Sequence, residues 1–171
     1  IYTTLQSYES NGKLEKHQQN IAKKIKQSIV NPAPVRGISK VVTHKVRYYD
    51  PTITLVEDIK DSNGNLIAAM GTKVNPLDHA DFNEEWIFVD GNDKEQLYLA
   101  HNFVAEKEEK TKIAKIVLVA GSPGSKKEGH KEHFYYFDQF GKYCQKFGIN
   151  QVPAILRQKN RLIEIEEVVV K

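Results

Sequence analysis

The segment 137–165 constrains the fold of this chain more than any other stretch. The composition of 142–147 predicts a short helix that ends at Gly148, because glycine enters the left-handed cap conformation without a Cβ penalty. The apolar run 149–156 then predicts a buried strand, entered through the Val152–Pro153 bond. Proline cannot donate to a sheet ladder, so this residue must lie at the start of the strand or at an edge of the sheet.

A polar turn at 159–161 follows, and the apolar residues that begin at Leu162 predict a second strand antiparallel to the first. This order of helix, proline-entered strand, turn and strand resembles the C-terminal half of the thioredoxin fold. The resemblance implies a cis Val152–Pro153 bond, and the cis form costs an X-Pro bond only about 0.5–1 kcal/mol. From the residues alone, a plain β-hairpin after a helix also fits the pattern.

Three units are predicted along the chain, 1–40, 41–78 and 79–171. The first unit begins with a solvent-facing helix over 1–30, followed by an extended, proline-containing linker over 31–40. One thin apolar stripe marks the helix: Leu14, Ile21, Ile25 and Ile29. A stripe this thin packs on the body of the protein or on a partner helix, and otherwise it belongs to a frayed tail.

The second unit, 41–78, is predicted to be a small antiparallel β-module. Strand-forming residues fill 41–49 and 52–59, and an Asn-Gly turn within 61–65 leads into a returning strand. The residues that break or end these elements are predicted to be structural: Asp50, Pro51, Asn75 and Pro76, together with Gly148 of the later helix.

The third unit continues the α/β pattern. A strand at 85–89, a helix capped by Asn92 or Asp93, and a strand at 113–120 predict a parallel βαβ unit. Joined to the helix and two strands of the C-terminal segment, they give the order of a thioredoxin-like core without its last helix. The predicted fold class is therefore α/β, a βαβ–αββ core preceded by the small β-module and the N-terminal helix.

Composition excludes several functions. Cys144 is the single cysteine, so a thioredoxin-like fold here has no Cys-x-x-Cys pair and cannot perform dithiol exchange. The net charge of +3 is scattered, which does not indicate nucleic-acid binding, and no apolar run approaches the ~18 residues of a membrane span. The acidic connector 78–85 lacks the ligand spacing of a calcium loop. No catalytic set, metal site or cofactor is predicted.

Four motifs together resemble one family. They are YYDPTITLVEDIKDSNGNLIAAMGTKVNPLD at 48–78, WIFVDGNDKEQLYLA at 86–100, KIVLVAGS at 115–122 and FDQFGKYCQKFGINQVPAILRQ at 137–158. In this order they resemble the TraW family of conjugal pilus-assembly proteins in F-type type IV secretion systems. The resemblance implies a periplasmic protein whose signal peptide has been removed, which would explain the start at Ile1. It also implies a role in pilus extension without catalysis, and a TrbC-like partner.

The resemblance to thioredoxin-like proteins also suggests where a partner would bind. In those proteins the backbone beside the cis-proline accepts an extended peptide, so we expect a partner at the face formed by Val152, Pro153 and the loop 90–93. The residues assigned to this partner-binding hypothesis are Val152, Pro153, Asp90, Asp93, Gln96, Asp138 and Gln139. Alternatively, they only cap and turn the fold.

Two other functions stay open. One is a thioredoxin-related redox or isomerase enzyme with an altered site, and the other is a periplasmic ligand-binding module using the loop 90–93.

Overall fold

The computed structural model of the protein describes residues 13–110, 112–128 and 131–170. The helices are α1 (Lys13–Val30), α2 (Lys94–Glu109) and α3 (Lys142–Phe147), and short 3-10 turns span Pro76–Asp78 and Gln139–Gly141. The strands are β1 (Ser39–Lys40), β2 (Lys45–Tyr49), β3 (Ile53–Thr54), β4 (Ile59–Lys60), β5 (Leu66–Ala68), β6 (Lys73–Val74), β7 (Glu84–Asp90), β8 (Ile113–Ala120), β9 (Gly124–Glu128), β10 (Lys131–Phe137), β11 (Gln151–Val152), β12 (Ala154–Lys159) and β13 (Leu162–Glu167).

The main sheet has seven strands in the order β2-β13-β12-β7-β8-β10-β9. β7 and β8 are parallel, as the predicted βαβ unit requires, and β10 is parallel to β8. β12 runs antiparallel to β7, and β13 runs antiparallel to β12, which confirms the predicted pairing of the last two strands. The chain is therefore a mixed α/β protein with a sheet-rich core and few helices.

The core lies on both faces of this sheet because side chains alternate along its central strands. On β7, Ile87 and Val89 belong to the cluster that includes Ala100 and Phe103 of α2. Phe88 belongs to the opposite cluster, which includes Cys144 and Phe147 of α3. Helices α2 and α3 thus bury their apolar faces on opposite sides of the sheet.

Local hydrogen bonds and backbone conformation hold the residues at which turns and caps are predicted. Gly148 ends α3 with φ of 62°, in the left-handed conformation expected of it, and the Val152–Pro153 bond is cis. The Asp50 carboxylate accepts a hydrogen bond from the Thr52 N–H at 2.9 Å, which holds the backbone on either side of Pro51 between β2 and β3. Pro76 starts a 3-10 turn whose preceding residue, Asn75, accepts from the Leu77 N–H at 2.9 Å.

The β-module differs from the expectation in one respect. Its first strand, β2, pairs antiparallel with β13 and forms an edge of the main sheet, with Ile163 opposite Tyr49. Only the part from Ile53 to Val74 forms separate ladders, β3 with β6 and β4 with β5. Strand composition predicts that a strand forms, but it does not specify the partner strand, because pairing depends on residues distant in sequence. The boundaries of the three units stay a prediction.

Two other segments also differ from the sequence interpretation. Residues 31–40, predicted to be an extended linker, are extended but attached to the body, since β1 pairs parallel with β11. An antiparallel hairpin, β9–β10, lies between β8 and α3, and its second strand contains the aromatic residues 134–137. Within the predicted N-terminal helix, residues 1–12 lie outside the described part of the chain, and α1 starts at Lys13.

Candidate partner-binding site

The loop that follows β7 is held in place by its own side chains. Asp93 is the N-cap of α2, and its Oδ1 accepts from the N–H groups of Glu95 at 3.0 Å and Gln96 at 3.2 Å. Gln96 is only 2% exposed, and its side chain accepts from the Asp90 N–H at 2.9 Å. Asp90 in turn accepts from the Asn92 N–H at 2.8 Å. The polar groups of this loop therefore stabilise the start of α2.

The same loop approaches the end of β8 closely. The Gly91 N–H donates to the Ala120 carbonyl at 2.9 Å. A Cβ atom on Gly91 would lie 2.8 Å from that carbonyl oxygen, and one on Gly121 would lie 3.1 Å from the backbone of Gly91. Because both contacts involve backbone atoms, the two loops fit together only with glycine at Gly91.

Val152 and Pro153 lie beneath a segment of the chain itself. Val152 is 2% exposed, and its carbonyl accepts from the Val41 N–H at 2.9 Å. The Pro153 carbonyl accepts from the Val168 N–H at 2.9 Å. The parallel register places Lys40 opposite Val152. The backbone edge at which we expected a partner peptide is therefore already paired with β1 and the residue after it.

Lys40 joins this covering strand to the start of α2. Its Nζ lies 2.8 Å from a Glu95 carboxylate oxygen and 3.1 Å from Asp93 Oδ2. The hydrogen bonds to Glu95 and Asp93 raise the pKa of Lys40. Burial alone would raise the pKa of Asp93, but the hydrogen bonds from Lys40 and Gln96 outweigh it, so this pKa lies below its ordinary value. Asp93 is thus a structural anion with internal partners.

Asp138 is fully buried and caps α3. Its two carboxylate oxygens accept from the N–H groups of Tyr143 and Cys144, each at 2.9 Å. Burial, with the Asp138 carboxylate beside it, raises the pKa of the Cys144 thiol. Cys144 is 2% exposed, so its thiol is packed in the core. An inaccessible thiol whose thiolate is disfavoured is a poor nucleophile.

An open groove of about 990 Å³ lies beside this cap, between segment 31–38 and the body. Gln139 and Phe140 form part of its wall, opposite Pro34 and Val35. Phe140 is 87% exposed and has φ of 61°, a left-handed conformation that aromatic residues rarely adopt. An exposed aromatic ring held in such a conformation next to an apolar groove is a candidate contact for another protein.

The structure thus separates the seven predicted site residues by exposure. Four are buried: Val152, Pro153, Gln96 and Asp138. Asp90 and Asp93 are half-buried, and Gln139 is exposed. The sequence analysis missed segment 35–41, which crosses the carboxyl ends of the strands, with the Val35 N–H donating to the Val119 carbonyl at 2.7 Å. Its apolar residues at every third position, Val35, Ile38 and Val41, were the available signal.

We refer to the loop 90–93, the turn 138–140, strand β11 and the crossing segment 35–41 as the carboxyl-edge site. Within the described residues, no three His, Cys, Asp or Glu side chains are grouped so that they could hold a metal ion. The part of the chain that the structure covers contains no helix long and apolar enough to cross a membrane.

The fold and this site define an α/β protein whose polar loops are stabilised by internal contacts. The chain is 32% identical over 155 residues to Protein TraW of Escherichia coli (strain K12), in an alignment that covers 90% of this chain and 71% of that protein. The chain belongs to the TraW family, which confirms the prediction from its four motifs. No family model matches the chain. No solved structure matches it.

Proposed function

We propose that this chain is a non-catalytic assembly protein of a conjugative F-type type IV secretion system. It acts in the periplasm, contributes to pilus assembly and extension, and works by binding a TrbC-like partner. The observation that carries the proposal is the similarity to TraW over 90% of the chain. That similarity extends through the β-module and the carboxyl-edge site, so it is not limited to a common scaffold.

The proposal includes a thioredoxin-like core. Its support is the arrangement β13-β12-β7-β8, in which the β7–α2–β8 unit is parallel and the last two strands are antiparallel to it and to each other. Helices on the two faces and the position of the loop 90–93 at the start of α2 agree with that core. Strand β2, the hairpin β9–β10 and segment 35–41 are additions to it.

In this proposal the partner contacts the exposed part of the carboxyl-edge site, chiefly Gln139 and Phe140. Asp90 and Asp93 form its half-buried border. The four buried residues of the hypothesis hold the surface from beneath, since their polar groups have internal partners. Partner capture at the Val152 backbone would first require the release of β1 from β11.

The two alternative functions receive less support from the same contacts. A redox or isomerase enzyme needs an accessible thiolate, whereas the Cys144 thiol is buried and its pKa is raised. A ligand-binding module at the loop 90–93 needs polar groups free to bind. The Asp90 and Asp93 side chains are instead engaged by backbone N–H groups and by Lys40.

The test is co-purification of this chain with the TrbC-like protein of the same system. Phe140→Asn removes the exposed ring but suits the left-handed backbone, because asparagine tolerates positive φ. We expect it to fold normally and to bind the partner about tenfold more weakly, as for loss of an interface aromatic anchor. Tyr98→Asn is the matched control, since Tyr98 is 69% exposed on α2 and lies outside the site.

The outcomes separate the two parts of the proposal. If wild-type chain and TrbC-like protein do not associate, the proposed partner is wrong. If they associate and Phe140→Asn binds as well as Tyr98→Asn, the partner is retained and the proposed surface is rejected. The pilus-assembly role is tested by complementation of a strain that lacks the chain, and normal piliation of that strain without it would contradict the role.

A further inference from the structure

Helix α1 buries none of its residues from 15 to 30, and only Ser28 and Ile29, at its end, line the groove beside segment 31–38. All residues from 15 to 30 are exposed. Ile21, Ile25 and Ile29 follow at four-residue spacing and lie on one face of the helix, where they are 44%, 54% and 65% exposed. Helices in proteins gain most of their stability from packing such a face. The exposed face of α1 therefore requires a surface on which it can pack.

The charge of α1 limits which surface can bind this helix. The helix carries five lysines and one glutamate, a net charge of +4. Within the described residues, Lys16, Lys23, Lys24 and Lys26 take part in no ion pair, because every salt bridge involves other side chains. A complementary surface must therefore be apolar and carry negative charge.

The part of the β-module from Ile53 to Val74 has these properties. No residue between 51 and 74 is buried, so its two ladders have no core of their own, and isolated two-stranded ladders are marginally stable. Six of its large apolar side chains are exposed: Ile53, Val56, Ile59, Leu66, Ile67 and Met70. From Ile53 to Val74 the chain has three carboxylates and two lysines, a net charge of −1.

Half of the exposed large hydrophobic residues in the described part of the chain lie on these two surfaces. Of the 20 large hydrophobic residues that are exposed in the described part of the chain, ten lie on α1 or between Ile53 and Val74. Clusters of this kind mark interaction sites more often than scattered single residues do. Two apolar surfaces of opposite charge, each without packing of its own, suggest that they bind each other.

The two surfaces lie at opposite ends of the main sheet in one molecule. The chain leaves α1 through Asn31, whose side chain accepts from the Ser122 hydroxyl beyond the end of β8. The module is attached at the other end, where Asn75 donates to the Arg161 carbonyl at 3.0 Å in the turn between β12 and β13. The seven residues of β7 separate these ends by about 20 Å. Both surfaces are exposed within one molecule, so a contact between them is assigned to two molecules.

We propose that α1 of one copy packs its Ile21–Ile25–Ile29 face on the exposed module of a second copy, with its lysines near the module's carboxylates. The contact is head-to-tail, because different patches of the two copies meet. Such a contact leaves a free helix at one end and a free module at the other, so it produces a ring or a chain of copies. This inference does not rest on the proposed TrbC-like partner.

The experiment measures molar mass by light scattering over a range of protein concentrations. We expect the wild-type chain to self-associate. The helix variant Ile21→Asp/Ile25→Asp and the module variant Val56→Lys/Ile67→Lys should each weaken association at least about tenfold, because each variant loses apolar contacts and gains charge of the same sign as the surface it faces. All four positions are exposed, so both variants should keep the wild-type unfolding midpoint. Tyr98→Asp is the matched control and should associate normally.

Mixing the two variants is the decisive step. The helix variant keeps an intact module, and the module variant keeps an intact helix, so the mixture should form a one-to-one complex that grows no further. Raising the salt concentration should weaken this complex several-fold, because screening reduces the attraction between exposed charges.

Three results would overturn the inference. The first is a wild-type chain that stays monomeric at every concentration. This result overturns the inference even if the monomeric chain binds anionic vesicles through α1. The second is a module variant that still forms dimers by itself, since that result assigns the contact to a symmetric helix pair. The third is a variant mixture that forms no complex although wild-type chains associate.

Discussion

Glu164 allows the sharpest prediction for stability. Its carboxylate is 2% exposed on β13 and accepts hydrogen bonds from three side chains of neighbouring strands. These come from the Tyr48 hydroxyl at 2.9 Å, Arg157 Nε at 2.8 Å and Lys159 Nζ at 3.0 Å. Burial would raise the pKa of Glu164, but these donors outweigh it and lower the pKa to about 2.

The size of the effect follows from this pKa. The ordinary pKa of the group is 4.5 and the folded value is about 2. Each step of one in pKa corresponds to 1.36 kcal/mol, so the ionised carboxylate contributes about 3 kcal/mol to folding at pH 7. Because the folded pKa is the lower one, this stability is present above pH 4.5 and is lost as the pH falls towards 2.

Glu164→Gln should therefore destabilise the protein by about 3 kcal/mol at pH 7, since it also leaves Arg157 and Lys159 without their buried partner. The assay is urea unfolding of both proteins at pH 7 and pH 2. At pH 2 the wild-type carboxyl is about half protonated in the folded protein, so the difference in unfolding free energy should fall below about 1 kcal/mol. Glu57→Gln, at an exposed carboxylate, is the control and should change little at either pH. A Glu164→Gln difference of equal size at both pH values would refute the reasoning.

Three further predictions concern the carboxyl-edge site. Asp138→Ala leaves two backbone N–H groups of α3 unpaired and should cost about 1–3 kcal/mol in urea unfolding, whereas an unchanged midpoint would contradict the capping role. Gly91→Ala places a Cβ 2.8 Å from the Ala120 carbonyl oxygen and should lower the thermal midpoint, and a midpoint equal to wild type would show that the loops can separate without loss. Native Cys144 should react with Ellman's reagent far more slowly than the urea-unfolded chain, because its thiol is 2% exposed; equal rates would disprove its burial.

Much of the fold could be predicted because its signals are local. The apolar run at Ile113–Ala120 and the helix Lys142–Phe147 have the predicted bounds. Asp93 caps α2 and Gly148 ends α3, since short polar side chains and glycine have strong positional preferences at helix ends. These features depend on a few neighbouring residues, so one sequence suffices to identify them.

Long-range pairing could not be predicted in the same way. Nothing in the composition of β2 specifies β13 as its partner, and nothing in residues 31–40 specifies the edge at β11. The polar, lysine-rich hairpin β9–β10 lacks the apolar alternation that indicates a strand, although it is paired throughout. The pairings of β2 and β1 join residues that are far apart in sequence. In the β9–β10 hairpin, charged residues interrupt the alternation from which a strand is predicted.

The candidate site was likewise predicted in its local features but not in its long-range contacts. The sequence located the loop 90–93 and the Val152–Pro153 bond, but it did not reveal that both are engaged internally. Glu164 was missed because its low pKa depends on three donors from two other strands, β2 and β12. An alternating Leu-Ile-Glu-Ile segment instead predicts a solvent-facing glutamate. Whether a residue is buried, and which groups it contacts, depends on the tertiary fold. The alternation of apolar and polar residues along one strand does not determine it.

The internal pairing of β11 bears on how this protein binds others. An external strand added at Val152 would replace the bond from the Val41 N–H, so hydrogen bonds would be exchanged and not gained. Each such bond contributes only about 1 kcal/mol net even when it is newly formed, so the exchange supplies little affinity. Burial of exposed apolar side chains contributes about 25 cal/mol per Å², and those side chains are concentrated on Phe140, α1 and the module. Binding energy must therefore come mainly from these surfaces, and the paired backbone edge at β11 contributes little of it.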